Sequence, residues 1–186
     1  MSDFIAQLGQ HHKTMQQLES LQPRFEQAVE MITDTLRNGH KILLCGNGGS
    51  AADSQHIAAE IIGRFETERH ALPAIALTTD SSILTAVGND YGYDQVFARQ
   101  VAGLGNAGDL LIAYSTSGNS GNVLHAVRVA RERGMGIISL TGRDGGELAG
   151  LADVDLCVGS SSTARIQEGH GFLGHALCSA IDEAFS

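Results

Sequence analysis

Residues 42–53 read ILLCGNGGSAAD: a four-residue apolar run, a turn that holds three glycines, and the beginning of a segment with helical composition. Glycines allow the backbone to come close to a ligand, and the free N–H groups at the start of a helix favour an anion. This order of strand, turn and helix indicates an α/β fold with a phosphate-type site at its first turn.

Further apolar runs of similar length follow, and segments of helical composition separate them. Such alternation predicts a five-stranded parallel sheet covered by helices on both faces, a three-layer α/β/α sandwich. After 42–45 the predicted strands are Ala74–Leu77, Leu110–Tyr114, Ile137–Leu140 and Val154–Val158. The helix candidates include Ser50–Phe65, Val96–Leu104, Ser120–Arg133 and Thr163–Phe185.

Residues 1–37 precede the first strand and are predicted to form a helical arm of two segments that Pro23 separates. The whole chain, 1–186, is expected to be one domain, with residues 38–186 as its α/β core. The apolar stripe of the arm could pack against another subunit, which would give it a role in oligomerisation, or against its own chain. Spacing alone leaves both arrangements open.

Composition excludes several classes of protein. With 12 basic and 21 acidic residues the formal charge is -9, which opposes non-specific attraction to nucleic acid or anionic lipid. No run of about 18 apolar residues and no signal-like amino terminus is present. The three cysteines are scattered and form no CxxC pair, as expected of reduced thiols. We therefore expect a cytoplasmic protein with no nucleic-acid or membrane partner.

A second loop of the same type, residues 115–120 (STSGNS), follows the third predicted strand and precedes a helix. Ser, Asn and Gly routinely cap helices, so one such loop would carry little weight. Two loops at the same edge of a parallel sheet can contact one ligand, which favours phosphate binding. A dinucleotide site is less well supported: Gly46, Gly48 and Ala51 match a loose GxGxxA pattern, but Asp80 lies too far along for the acidic residue of that fingerprint.

Candidate chemical groups lie on the helix after the first turn and on the final helix. His56 and Glu60 are four apart and share a helix face, which suits a metal pair or a proton-transfer pair. On the final helix, His170 falls on the apolar stripe, as a packing histidine would, and His175 lies nearly opposite. Gln167 and Glu168 both begin that helix, and spacing cannot choose between them.

The two loops, Asn89-Asp90 and Arg165-Ile166-Gln167-Glu168 together resemble the bacterial phosphoheptose isomerases of the sugar isomerase (SIS) domain superfamily over nearly the whole chain. The resemblance implies conversion of D-sedoheptulose 7-phosphate to D-glycero-D-manno-heptose 7-phosphate. This reaction is the first step toward the ADP-heptose or GDP-heptose used for lipopolysaccharide or related glycans. It also implies a homotetramer with shared active sites.

The family's functional positions fall on residues of the expected type. Those for one Zn²⁺ per subunit are His56, Glu60, Gln167 and His175, which supplies the choice of Gln167. Those for substrate are Asn47, Gly48, Gly49, Ser50, Glu60, Asn89, Asp90, Ser115, Thr116, Ser117, Ser120 and Gln167. The resemblance implies that isomerisation uses Glu60 as base and His175 as acid. Departures are Ala164, where many members carry an acid, and Gly169, Gly171 and Gly174 on the helix of His175, which weaken it by roughly 1 kcal/mol each.

Two non-catalytic alternatives come from the same superfamily. One is a sugar-phosphate sensor that uses the loops without chemistry. The other is a regulator associated with the replication initiator. In those relatives the first loop, the Glu60 position or the second loop is typically broken, whereas all three are intact in this chain.

Overall fold

The computed structural model describes residues 3–186. The helices are α1 (Phe4–Gln17), α2 (Gln22–Arg37), α3 (Gly49–Ile62), α4 (Ser81–Tyr91), α5 (Ala98–Leu104), α6 (Gly121–Glu132), α7 (Gly146–Ala149) and α8 (Thr163–Phe185). The strands are β1 (Ile42–Cys45), β2 (Ala74–Ala76), β3 (Leu110–Ser115), β4 (Gly136–Gly142) and β5 (Val154–Val158). Two 3₁₀ segments are Leu18–Leu21 and Tyr93–Gln95.

The five strands form one parallel sheet in the order β2-β1-β3-β4-β5. Every residue of β1 and β3 is buried, because helices cover both faces of the sheet. The chain leaves β1 first toward β2 and later toward β3, so the strand order reverses between β1 and β3. In open α/β sheets the ligand crevice lies at the carboxyl ends of the strands at such a point.

Alternate residues of the central strands β1, β3 and β4 feed two separate cores, as the two-residue period of a strand requires. On one face, Ile42 and Leu44 join a cluster with side chains of α2, α3 and α8. On the other, Leu43 and Leu111 join a cluster with side chains of α5 and α6. The predicted three-layer α/β/α sandwich is confirmed.

The two N-terminal helices differ in how they meet the rest of the chain. α2 follows the 3₁₀ segment, carries Pro23 in its first turn and buries Ile32 in the core. α1 buries only Thr14, and it leaves Phe4 72% and Ile5 70% exposed. The second segment of the predicted arm therefore packs within its own chain, while the first keeps an open apolar surface.

The predicted elements agree with the observed ones apart from their ends and two omissions, α4 and the four-residue α7. α4 was absent from the helix candidates; in the structure it begins at the cap Asp80 and has no fully buried side chain. Leu84 and Val87 are only half-buried against the core. Among residues 3–186, no helix is both long enough and apolar enough to cross a bilayer.

Candidate active site

The turn after β1 presents an uncapped helix start at the carboxyl edge of the sheet. α3 begins at Gly49, and the preceding cap residue is Gly48 with φ +58°, so no side chain caps the helix. The turn is tight, since a Cβ added at Gly46 would lie 2.7 Å from Cβ of Ser50. An anionic ligand can take the place of the missing cap.

The turn after β3 gathers hydroxyl groups at the start of α6. The Oγ atoms of Ser115 and Ser120 are 2.9 Å apart, and Ser117 Oγ accepts a hydrogen bond from the Asn119 N–H at 3.1 Å. Thr116 lies half-buried between them. Gly118 has φ +67°, and a Cβ there would lie 2.0 Å from the carbonyl oxygen of Gly145. The loop is thus held rigidly and offers hydroxyls rather than cations to a phosphate.

A pair of asparagine amides connects the two turns. Asn47 Nδ2 donates to Asn122 Oδ1 at 2.8 Å, and Asn122 Nδ2 donates to Asn47 Oδ1 at 2.9 Å. Asn47 belongs to the first turn, and Asn122 is the second residue of α6. The pair therefore spans the crevice between the ends of β1 and β3.

Helices α3 and α8 bring the predicted chemical groups together. The Nε2 atoms of His56 and His175 are 2.8 Å apart, and Glu60 Oε1 lies 3.7 Å from His56 Nε2. The ring of Phe65 stacks on that of His175, with centroids 5.3 Å apart. Both histidines are exposed, and the Glu60 side chain is 24% exposed. A carboxylate and two imidazoles therefore face one accessible point.

A glycine on α8 permits this approach of the two helices. A Cβ at Gly174 would lie 2.7 Å from Cδ1 of Ile57 on α3, so a larger residue would push α8 away from α3. A Cβ at Gly169 would similarly lie 2.9 Å from the Val158 side chain. α8 is nevertheless continuous from Thr163 to Phe185. Gly174 thus sets how closely α8, and with it His175, approaches His56 on α3.

Gln167 and Glu168 point in different directions. The Gln167 amide lies against Gly49, where a Cβ would be 2.3 Å from its Nε2. Glu168 instead binds His11 Nδ1 of α1 at 2.8 Å and Arg165 Nη2 at 2.6 Å. Of the two residues that spacing left open, Gln167 lies at the first turn and Glu168 is engaged elsewhere.

Asp53, which is not among the residues predicted from the sequence, also belongs to this region. Burial raises the pKa of its carboxyl, and a hydrogen bond from Gln167 and the charge of His56 lower it by less. Its Oδ2 is buried and has no hydrogen-bond partner within residues 3–186. Asp53 precedes His56 by three residues and so shares its helix face, which is the signal that could have identified it.

A buried ion pair also links α3 to α8, near the end of α3 that carries Glu60. Asp182 of α8 accepts hydrogen bonds from Arg69 Nε at 2.7 Å and from the N–H groups of Glu66 and Thr67 at 2.7 and 2.8 Å. The Arg69 guanidinium also donates to the carbonyl oxygen of Glu60 at 2.9 Å. This Arg69–Asp182 clamp fixes the end of α3 that carries Glu60 against the helix that carries His175.

Comparisons with known proteins agree with this geometry. A model of the SIS domain matches residues 5–142. The chain is 55% identical to the phosphoheptose isomerase of Campylobacter concisus, covering 96% of this chain and 95% of that protein. It is also 55% identical to that of Aliarcobacter butzleri, covering 100% and 98%. This chain belongs to the phosphoheptose isomerase family. The solved phosphoheptose isomerase GmhA of Neisseria gonorrhoeae is 51% identical, with a TM-score of 0.92 and 96% of each chain covered.

Family membership suggests zinc at His56, Glu60, Gln167 and His175, and the donor atoms can be tested for fit. Imidazole nitrogens and carboxylate or amide oxygens suit Zn²⁺. Two nitrogens on one tetrahedral zinc lie about 3.3 Å apart, so the rings, now at 2.8 Å, would separate by about 0.5 Å. Within residues 3–186, no three His, Cys, Asp or Glu side chains already form a metal centre. The donor types fit the ion, and the two imidazoles would have to move apart for both to bind it.

Asn89 and Asp90, the remaining substrate positions of the family, lie on the last turn of α4. Both are exposed, and Asn89 Nδ2 donates to Asp90 Oδ1 at 2.8 Å. The structure gives them no hydrogen bond to the other predicted site residues among residues 3–186. These two residues are therefore positioned by α4 alone.

His170 is a packing histidine, as its place on the apolar stripe predicts. It is fully buried, and Nε2 lies 2.8 Å from the carbonyl oxygen of Thr141. Burial lowers the pKa of His170 to about 4, and the hydrogen bond to Thr141 opposes this shift only in part. Burial therefore favours the neutral imidazole, in keeping with a packing role.

Proposed function

We propose that this chain converts D-sedoheptulose 7-phosphate to D-glycero-D-manno-heptose 7-phosphate, as an aldose–ketose isomerase at the start of heptose supply for lipopolysaccharide or related glycans. The observation that carries the proposal is that Glu60 of α3 and His175 of α8 both approach His56, on the helix that begins at the first turn. Isomerisation needs such a carboxylate and imidazole next to a phosphate anchor.

The reaction moves one proton between carbons and one between oxygens. Glu60 takes the proton from C1 of the ketose and returns it to C2, passing through an enediolate. His175 gives a proton to O2 and accepts one from O1, so the atoms balance. Ser50, Ser115, Ser117 and Ser120 hold the phosphate, and Asn47, Gly48, Gly49 and Gln167 contact the sugar. Asn89, Asp90 and Thr116 complete the site.

One zinc ion per subunit is part of this proposal. When bound by His56, Glu60, Gln167 and His175, it would polarise the carbonyl and stabilise the enediolate, or hold the four side chains in place. Because Glu60 cannot ligate tightly and also act as a free base, the two roles should alternate. We expect metal analysis of the purified protein to find zinc, and His56→Ala to lose it together with thermal stability.

A homotetramer with shared active sites is also proposed. Phe4 and Ile5 of α1 are mostly exposed, and α4, which carries Asn89 and Asp90, has no fully buried side chain. Symmetric contacts between subunits would cover both surfaces. Three free cysteines and an acidic surface accord with the cytoplasm, where we place the protein.

The test is solvent-deuterium incorporation into the substrate together with a coupled assay for heptose phosphate. Glu60→Gln and His175→Ala should keep the fold and lower turnover by about 10²-fold or more. The matched control is Glu183→Gln, which alters an exposed carboxylate of α8 and should change nothing. Unchanged carbon-bound exchange in Glu60→Gln would remove Glu60 as the base.

A further inference from the structure

The crevice between β1 and β3 is bridged by one side chain to which no role has been given so far. Cys45 at the end of β1 and Ala113 in β3 are paired residues of the sheet, so the turns that follow these strands are neighbours. Between them, Asn122 faces Asn47 across the crevice. Asn122 is only 3% exposed, although it lies in the first turn of α6 at the phosphate-type loop.

The hydrogen bonds fix which part of Asn47 remains free. A side-chain amide offers two N–H donors and two oxygen lone pairs. The reciprocal pair uses one donor and one lone pair of Asn47, and it leaves one of each for a ligand. Turning either amide over would place two N–H groups or two oxygens face to face. Asn122 therefore couples its amide to that of Asn47, so that neither can turn over without the other.

Stability alone does not account for this arrangement. A typical hydrogen bond adds only about 1 kcal/mol net, and replacing both partners of a buried pair by apolar groups of similar shape can be nearly neutral. What it does supply is a rigid link from the first turn, at the start of the helix that carries His56 and Glu60, to the start of α6. Small errors in such a link matter, because a displacement of about 1 Å can lower a rate by about 10²-fold.

We propose that Asn122 is a positioning residue that acts through Asn47, holding the sugar-contacting turn at a fixed distance and orientation from the phosphate loop. Its side-chain amide faces Asn47, so we expect it to act on the substrate through that residue. The kinetic test of this inference rests on the proposed function, because it measures isomerase activity. The structural test needs only the Asn47–Asn122 pair.

The kinetic test is a double-mutant cycle of Asn47→Ala, Asn122→Ala and the double variant. We expect each single change to lower kcat/KM by about 10- to 100-fold. The kcat/KM of the double variant should equal that of Asn47→Ala within about twofold, because Asn122 acts only through Asn47. A purely structural role would instead multiply the two losses. Asn38→Ala is the control, since it removes an exposed asparagine amide that donates to the Asp34 carbonyl at the end of α2, away from the crevice.

Folding is followed by circular dichroism melting, and Asn122→Ser provides a second variant that keeps a small polar group under α6. The serine hydroxyl is too short to form both hydrogen bonds, so it should lose activity as the alanine does. Multiplied losses in the cycle, or a kcat/KM of Asn122→Ser within twofold of wild type, would overturn the proposal.

A structural readout separates this inference from the proposed function. If the wild-type chain fails to isomerise sedoheptulose 7-phosphate, the reaction is wrong, but the bridge can still be tested in a crystal structure of Asn122→Ala. A reoriented or disordered Asn47 amide would support the inference. An Asn47 amide unchanged in position would refute it, whatever the substrate.

Discussion

Removing the buried carboxylate of Asp182 should destabilise the protein far more than removing an exposed one. Its side chain is 3% exposed and that of Arg69 is 0% exposed, so Asp182→Ala leaves an uncompensated guanidinium inside the protein. It also leaves the N–H groups of Glu66 and Thr67 without their acceptor. Breaking a buried pair in this way costs about 3–5 kcal/mol. For a chain of this size that loss corresponds to a melting temperature lower by about 6–20 °C.

The assay is thermal and urea unfolding at one fixed protein concentration, with Glu68→Ala as the matched control. Glu68 pairs with Arg64 at 3.4 Å, but the two side chains are 89% and 52% exposed. Such a pair contributes about 0.5 kcal/mol or less. An Asp182→Ala variant within about 1 kcal/mol of wild type would refute the clamp as a stabilising device.

The same residue predicts a pH dependence. Burial alone would raise the pKa of Asp182, but hydrogen bonds from Thr67, Glu66 and Arg69 outweigh it, so the pKa lies below its ordinary value. A carboxyl with a lowered pKa stabilises the fold above the unfolded value of about 3.9 and loses this effect as the pH falls. The difference in stability between wild type and Asp182→Asn should be constant above about pH 5 and shrink below about pH 4. If the wild-type and Asp182→Asn proteins differ in stability by the same amount at pH 5 and well below pH 4, the pKa of Asp182 is not lowered.

Other predictions concern the phosphate loop, the buried histidine and the exposed helix. Ser117→Asp should abolish substrate binding in calorimetry, because it brings a negative charge to the phosphate; undiminished affinity would disprove the site. Between pH 6.5 and about 4 the unfolded His170 binds a proton that the folded one does not. The free energy of unfolding of the wild type should therefore fall by up to roughly 3 kcal/mol as the pH falls through this window, whereas that of His170→Gln should not. The turnover of His170→Gln should be nearly normal. Phe4→Glu should lower the mass seen in light scattering, and a wild-type monomer at micromolar concentration would rule out the proposed tetramer.

The sheet could be predicted because each strand is a short apolar run with both faces buried. Residues 42–45 and 154–158 agree with the predicted strands at both ends. α4 escaped prediction because its stability does not come from an apolar stripe: none of its side chains is fully buried. Where a helix is held by its cap and a few half-buried contacts, periodicity carries little information.

The candidate site was predictable only to the extent that it is local in sequence. The four-residue spacing of His56 and Glu60 follows from helix geometry, but their meeting with His175 depends on how closely α8 packs on α3. That distance is set by Gly174, which packs against Ile57 of α3; this contact between residues far apart in the sequence is seen only in the fold. The partner of Asn47 lies 75 residues away, and only the fold reveals it.

The weak attachment of α4 has a consequence for motion. Opening α4 would expose little apolar surface, so the local unfolding free energy of residues 81–91 in a single chain should be small compared with that of α3. Their amide hydrogens would then exchange with solvent early. A ligand that contacts Asn89 or Asp90 must order this helix as it binds, and anything that orders the helix first lowers that entropic cost. Occupancy at the crevice and the rigidity of α4 are thereby coupled in both directions.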